Sequence, residues 1–214
     1  MRSDACKMCP NANPNGIPNK ATLFHILNCC PAFLGEKERF TWRHNSILTC
    51  IVDHLKNNPK DGMVIYADLP GHNINGTTIP PNIAVTASRP DLVIIDYPNN
   101  SVYLFELTVC FETSKNIEAA HNRKYERYSG LSEDIQSKGL KCFNIPFEIG
   151  SRGHLTTSNR TTLATMHHLC KPSTTFKTFT KDVSKTSLLC SYSIFLSRED
   201  SWTEVPPLKP SYKM

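Results

Sequence analysis

Apolar residues fall along this chain in two rhythms. Between residues 89 and 109 they come in short runs. Leu92-Val93-Ile94-Ile95 is followed, after Tyr97-Pro98-Asn99-Asn100, by Val102-Tyr103-Leu104-Phe105 and on to Leu107 and Val109. Short runs rich in β-branched and aromatic residues, bounded by Pro and Asn, predict two strands joined by a tight turn. From 115 to 138 the spacing becomes three, four and seven, and Ile117, Ala120, Tyr128, Leu131 and Ile135 share one helical stripe. A second helix is expected over 36–57, where Trp42, Ile47, Leu48, Ile51, Val52 and Leu55 mark the apolar face and Pro59 and Gly62 stop it.

The remaining pattern fills in around these elements. Residues 62–69 and 141–149 read as strands, the latter beside the hairpin. Residues 70–88, rich in Pro, Gly, Asn and Thr, read as a loop with some strand character at 83–87. Ser158 is expected to cap a helix over 159–170, with Leu163, Met166, Leu169 and Cys170 on its apolar side. The Lys- and Thr-bearing stretch 174–186 reads as solvated or facing a polyanion, and 187–197 as a last apolar helix. The Pro-containing tail over 201–214 is expected to lack order. The order β, β, β, α, β, α predicts an α/β fold, a mixed central sheet flanked by helices. A small N-terminal unit (1–35) precedes the main domain (36–200).

Composition narrows the class. A chain of 214 residues fits one ordinary domain with a small appendage. The net charge of +5 fits a polyanionic partner, although many proteins carry as much. No run of eighteen apolar residues occurs, so no membrane partner is expected. The first residues lack the apolar core of a secretion signal. With nine cysteines, an odd count, reduced thiols and a metal site are expected over disulfides.

Three groups carry candidate chemistry. Asp91 opens the first strand of the hairpin and Glu106 sits inside the second, so folding brings the two acids together. A buried acid needs a partner, and a hard divalent cation suits two carboxylates. The plainer readings are a solvated strand-start Asp and a Glu paired with a nearby Lys. Lys124 lies on the helical stripe, seven residues after Ile117, where it would stabilise a pentavalent phosphate or hold a water; otherwise its stem packs and its head reaches solvent. At the N-terminus, Cys6-x-x-Cys9 with His25 and either Cys29 or Cys30 offers three thiolates and one imidazole, a donor set suited to tetrahedral Zn²⁺. Arg43, His44 and Asn45 occupy the first turns of the 36–57 helix. They would meet a phosphate or orient a water, or else cap and pack locally. The Gly150–Gly153 turn would present Arg152 to a phosphate, or simply join strand to helix. His167-His168 is a poor chelate, since adjacent helical residues face different ways.

Taken in order, Arg89-Pro90-Asp91, fourteen intervening residues, Glu106, and a helix bearing Ala120-His121-x-x-Lys124-x-x-Arg127-Tyr128 resemble the restriction-like endonuclease domain of site-specific non-LTR retrotransposons. That domain belongs to the PD-(D/E)XK nuclease superfamily. The Cys-Cys-His-Cys knuckle, Arg43-His44-Asn45, and the strand and turn from Glu148 to Gly153 resemble the family's flanking features. The likeness runs from about residue 6 to about 200. It implies a restriction-endonuclease-like fold and a Mg²⁺- or Mn²⁺-dependent DNA endonuclease with Asp91 and Glu106 on the metal, the Leu107 carbonyl a further ligand, and Lys124 catalytic. It further implies that Arg89, Arg127, Tyr128 and Arg152 support the site or contact DNA, and that Cys30 is the fourth zinc ligand. RNA or a reverse transcriptase module as additional partner, and nuclear location, follow from it too. The alternative is a non-catalytic nucleic-acid-binding remnant. The chain departs from the pattern in having Glu106 where many members have Asp and Arg127 where they have Lys. Thr108 stands where the superfamily's Lys would fall, so Lys124 must substitute for it.

Overall fold

A computed structural model of the chain describes residues 5–9, 19–34, 38–57 and 59–198. The expected tail over 201–214 lies outside the described residues. A π-helical turn, His25–Cys29, leads into the short helix α1, Pro31–Leu34, and then α2, Arg39–Lys56. Strands β1, Met63–Ala67, β2, Leu92–Asp96, and β3, Ser101–Cys110, are followed by α3, Ser114–Ser137. Strand β4, Lys141–Gly150, and helices α4, Thr157–His168, and α5, Phe176–Leu196, complete the fold.

The sheet runs β1-β2-β3-β4. The first three strands are antiparallel neighbours, and β4 lies parallel to β3 with α3 as the crossover. The expected mixed sheet flanked by helices is therefore present. The hairpin turn at Tyr97–Asn100 is fastened by Asp96, which accepts hydrogen bonds from the Asn99 amide and side chain, while Asn100 takes a left-handed φ of 48°.

Alternation along the strands decides what each face carries. Leu92, Ile94, Phe105, Leu107, Phe147 and Ile149 point to one side and pack with Ile47, Ile51, Leu163, Met166, Phe179 and Val183 of α2, α4 and α5. Val93, Ile95, Val102 and Leu104 point to the other side, against Tyr128 and Ile135 of α3 and Ile79 and Ile83 of the loop before β2. Glu106 shares the parity of Leu104, and Asp91 that of Val93, so both acids belong to the α3 side. A third core joins the N-terminal segment (Ile26, Leu27, Phe33) to Trp42 of α2 and Ile194 of α5.

Several local expectations are corrected. Residues 83–87 form no strand. The amides of Ile83 and Ala84 instead turn back onto the Pro80 carbonyl, which drives Ile83 and Ala84 into the α3-side core. The α4 cap is Thr156, whose side chain accepts from the Asn159 amide, rather than Ser158. Residues 174–186 and 187–197 are one helix, because Phe179, Val183, Ser187, Cys190 and Ile194 continue a single buried stripe with the Lys residues outside it.

Candidate metal and nucleic-acid site

Asp91 and Glu106 meet across the first residues of β2 and the middle of β3. Register places Leu92 opposite Phe105, so Asp91 falls next to Glu106. The Asp91 amide donates to Glu106 Oε2 at 3.0 Å, and the Leu107 amide donates to Asp91 Oδ2 at 2.8 Å. Both acids are buried, 8% and 2% exposed. Carboxylates this enclosed require compensation. Lys124 Nζ supplies it to Glu106 Oε1, with Arg127 Nη1 3.7 Å from the same oxygen, and His44 Nε2 lies 3.1 Å from Asp91 Oδ2. His44 is in turn held at Nδ1 by Asn45 Oδ1, 3.0 Å away.

The two acids differ in proton affinity. Burial acts to raise the Asp91 pKa, but the charge and hydrogen bond of His44, then Lys124 and the Leu107 amide, hold it below the ordinary carboxylate value. Burial and then the Asp91 charge push Glu106 upward in spite of Lys124. The pair thus behaves as one coupled unit in which Asp91 keeps the charge and Glu106 is the acid poised to take a proton.

The structure brings together Asp91, Glu106, Lys124, His44 and Asn45, with Arg127 at the rim. Tyr128 reinforces them from below: its hydroxyl donates to the Arg89 carbonyl at 3.0 Å, fixing the backbone that carries Asp91. Arg89 pairs with Asp68, and the Asp68 amide donates to the Asp91 carbonyl. A cavity of about 430 Å³ opens beside them, lined by Thr41, His44, Asn45, Asp68, Arg89 and Asp91 among others.

Two expected phosphate contacts are placed otherwise. Arg43 is 2% exposed and turned away from the acids. Its Nη1 donates to Ser191 Oγ of α5, and burial lowers its pKa to about 10. It is a packing residue between α2 and α5. Arg152 stands at the surface but is engaged, with both its backbone amide and its Nε on Glu112. Gly150 makes room for that pair, since a Cβ there would lie 2.4 Å from Glu112 Cγ.

Two groups went unnoticed in the sequence. Asp68 sits just past β1 and joins the site through backbone contact, a link no spacing reveals. His121 Nδ1 meets Glu148 Oε1 at 3.1 Å. Glu148 lies beside Thr108 in the parallel register, on the same face as Glu106. Burial raises its pKa, with His121 acting in the opposite direction.

The N-terminal cysteines form a second centre. One ligand atom from each of Cys6, Cys9, His25 and Cys30 lies within 4.8 Å of the others, and all four residues are buried. It is the one such group of three or more His, Cys, Asp or Glu among the described residues. Cys6 Sγ and Cys30 Sγ are 4.0 Å apart, and Cys9 Sγ lies 3.1 Å from His25 Nε2. Zinc bonded to sulfur at about 2.3 Å in a tetrahedron separates two thiolates by roughly 3.8 Å, so the donors fit the ion and the group can bind zinc. Cys29 is exposed and outside it. The π-helical turn explains the choice: its wide ring bonds the Cys30 amide to the His25 carbonyl, swinging Cys30 under the imidazole. Without an ion, burial pushes the Cys30 thiol up to about 12 and lowers the His25 pKa.

A scan against protein-family models gives no match to this chain, and a search of curated proteins gives no relative. No helix among the described residues is long and apolar enough to cross a membrane.

Proposed function

We propose that this protein is a divalent-metal-dependent DNA endonuclease with a restriction-endonuclease-like fold, related to the nuclease domain of non-LTR retrotransposons. The observation that carries the reading is the meeting of Asp91, Glu106 and Lys124 at one point on the α3 side of the sheet, from three separate elements. The donor set fits Mg²⁺ or Mn²⁺: two carboxylates joined by a backbone hydrogen bond, of which Asp91 borders a polar cavity. A divalent cation held by Asp91 and Glu106 supplies charge to a phosphoryl oxygen and acidifies a water.

The chain's own residues do the rest. Leu107 and Asp91 amides fix the orientation of both acids. Lys124, which bonds Glu106 here, would be available to donate to a phosphate as negative charge builds if a cation were held by the acids. His44, with its ring nitrogens on Asn45 Oδ1 and Asp91 Oδ2, stands as a cation beside Asp91 and is suited to orienting a water or the scissile group. Arg127 is exposed at the rim and suited to the DNA backbone. The net charge of +5 favours the polyanion. Zinc at the Cys/His group would close the N-terminal segment on itself, and the third core packs that segment against α2 and α5. RNA or a reverse transcriptase module as further partner, and action in the nucleus, rest on the resemblance alone.

Supercoiled plasmid with Mg²⁺ or Mn²⁺ tests the proposal. Nicking by the wild type that is lost in Asp91→Ala and in Lys124→Ala is the expected result, and equal nicking by all three refutes it. One observation favours a second reading, a nucleic-acid-binding protein that does not cut: both acids already have protein cations, Lys124 and His44, which can stand in place of a metal. Salt-sensitive DNA binding without metal-dependent nicking would establish that alternative.

A further inference from the structure

Between the Cys/His segment and the last residues of β3 lies a cavity of about 300 Å³, lined among others by Phe24, Asn28, Cys29, Thr108, Phe111 and Arg123. Its size reaches the range of small-molecule sites. Two of its lining residues carry polar atoms, Asn28 Nδ2, Asn28 Oδ1 and Thr108 Oγ1, that are shielded from water and have no hydrogen-bond partner among the described residues. Unmet polar atoms of this kind are uncommon in folded proteins and costly. Asn28 could be satisfied by a planar partner offering an acceptor and a donor side by side. Its terminal torsion is broad, so turning the amide into the cavity costs little. Phe24 is 42% exposed, braced edge-on against Phe111 with ring centroids 5.2 Å apart, leaving an aromatic surface at the mouth. Arg123 is exposed there, with no partner among the described residues.

We propose that this cavity receives an unpaired adenine base of a nucleic-acid strand, with Asn28 on its N6/N7 edge, Phe24 stacked on the ring and Arg123 on the adjoining phosphate. An Asn amide pairs bidentately with that edge, whereas guanine's N7 and O6 both accept and leave the amide oxygen unmet. Aromatic stacking serves an unpaired base and no paired one. The position suits a neighbour of the scissile nucleotide. Thr108 lies two residues beyond Glu106 on the same strand face, roughly 7 Å away, and Arg123 precedes Lys124. The proposal rests on the nucleic-acid reading above but names a base-reading pocket separate from the acids.

The test is fluorescence polarisation in magnesium-free buffer, using short oligo-dT strands with one central dA, dC or dG. The wild type should prefer dA by about tenfold. Asn28→Ala should level the preference. Phe24→Leu, which keeps an apolar side chain against Phe111 and removes the stacking ring, should weaken all three strands by about tenfold. Thr108→Val lies outside the Cys/His segment and should also reduce the preference, which guards against a misfolded Asn28 variant. Matched ribo-oligonucleotides distinguish RNA from DNA as the source of the base. Equal affinity for the three strands, or a preference that survives Asn28→Ala, overturns the pocket while leaving the nuclease proposal to its own cleavage test. If no strand binds, titration with adenosine monophosphate decides: NMR shifts at Phe24, Asn28 and Thr108 uphold the pocket without the nuclease, and their absence refutes it.

Discussion

Replacing Lys124 by Met separates a metal site from a plain ion pair. Met keeps the length of the stem and removes the charge. In the metal-free protein Glu106, 2% exposed, then loses its nearest cation. Breaking a buried pair from one side costs about 3–5 kcal/mol. Two features reduce that here: Arg127 Nη1 remains 3.7 Å away, and Glu106 can take a proton, since burial and Asp91 already raise its pKa. A loss of about 2–3 kcal/mol is expected, which for a chain of this size is a fall of roughly 4–12 °C in Tm. Magnesium should then act oppositely on stability and activity. A Lys⁺ charge 4 Å from a cation repels it by about 4 kcal/mol per unit charge pair at an effective dielectric of 20. Lys124→Met therefore binds the ion more tightly, and a cation at ten times its Kd stabilises by about 1.4 kcal/mol. Differential scanning fluorimetry in MgCl₂ against NaCl of matched ionic strength should give a larger magnesium-specific rise for Lys124→Met than for the wild type. Cleavage should stay depressed by about 10²–10³-fold, the usual loss for a transition-state donor. Absence of any magnesium-specific rise in either protein would refute Asp91 and Glu106 as a cation site.

Three further outcomes follow. Elemental analysis should find one zinc per chain, lost in Cys6→Ser and Cys30→Ser but kept in Cys29→Ser, and chelation should lower Tm by exposing the third core. Arg43→Met should change stability by no more than about 1 kcal/mol, because an apolar stem replaces a buried charge while Ser191 loses one bond. It should also leave the salt dependence of DNA binding unchanged, whereas Arg127→Ala should lower that slope by about one. Glu148 has a raised pKa in the folded protein, so its contribution to stability is complete below the ordinary carboxylate value and is lost as pH rises through the folded value. Denaturant titrations should therefore show the wild type declining relative to Glu148→Gln as pH rises above the ordinary carboxylate value. The reverse trend would mean that His121 outweighs burial.

The parts of this fold that could be read from the sequence are those set by a single period. The hairpin, the α3 stripe and the shared face of Asp91 and Glu106 all follow from alternation of two or from spacing of three and four, which backbone geometry enforces locally. The parts that could not be read depend on what an element meets. Arg43 looked like a surface cation because charged residues rarely face inward. It faces inward because α5 offers it the Ser191 hydroxyl, while Arg39, one turn earlier on α2, donates to the Ser197 carbonyl just past the end of α5. The Lys and Thr of 174–186 hid a helix for a related reason: its buried stripe includes Thr180 and Ser187, which a hydropathy reading counts as polar. His121 and Glu148 meet only because β3 and β4 are parallel in one register, which no local pattern specifies.

Buried polar groups in this protein fall into two kinds, and the difference separates scaffold from site. Arg43 and Glu148 each have a fixed partner within the fold, Ser191 and His121, and lie within hydrogen-bonding distance of it. Those contacts compensate their desolvation only in part, since burial still lowers the Arg43 pKa and raises that of Glu148, and Arg43 Nε has no hydrogen-bond partner among the described residues. Asp91 and Glu106 have partners that compete. The Asp91 charge adds to the cost of ionising Glu106, Lys124 bonds Glu106 directly while its charge also favours ionised Asp91, and the cavity beside His44 leaves Asp91 open on one side. The side-chain amide of Asn28 and the hydroxyl of Thr108 have no hydrogen-bond partner among the described residues. Folding alone gives no reason to keep an acid pair or an unmet amide where Leu or Val would pack, since apolar replacements of buried charges are often neutral or stabilising. The acid pair and the unmet Thr108 hydroxyl lie along one stretch of β3, from Glu106 to Thr108, under the first half of α3. A strand of nucleic acid laid across that stretch would meet both in succession, a base at Thr108 and Asn28 and a phosphate at Glu106 and Asp91.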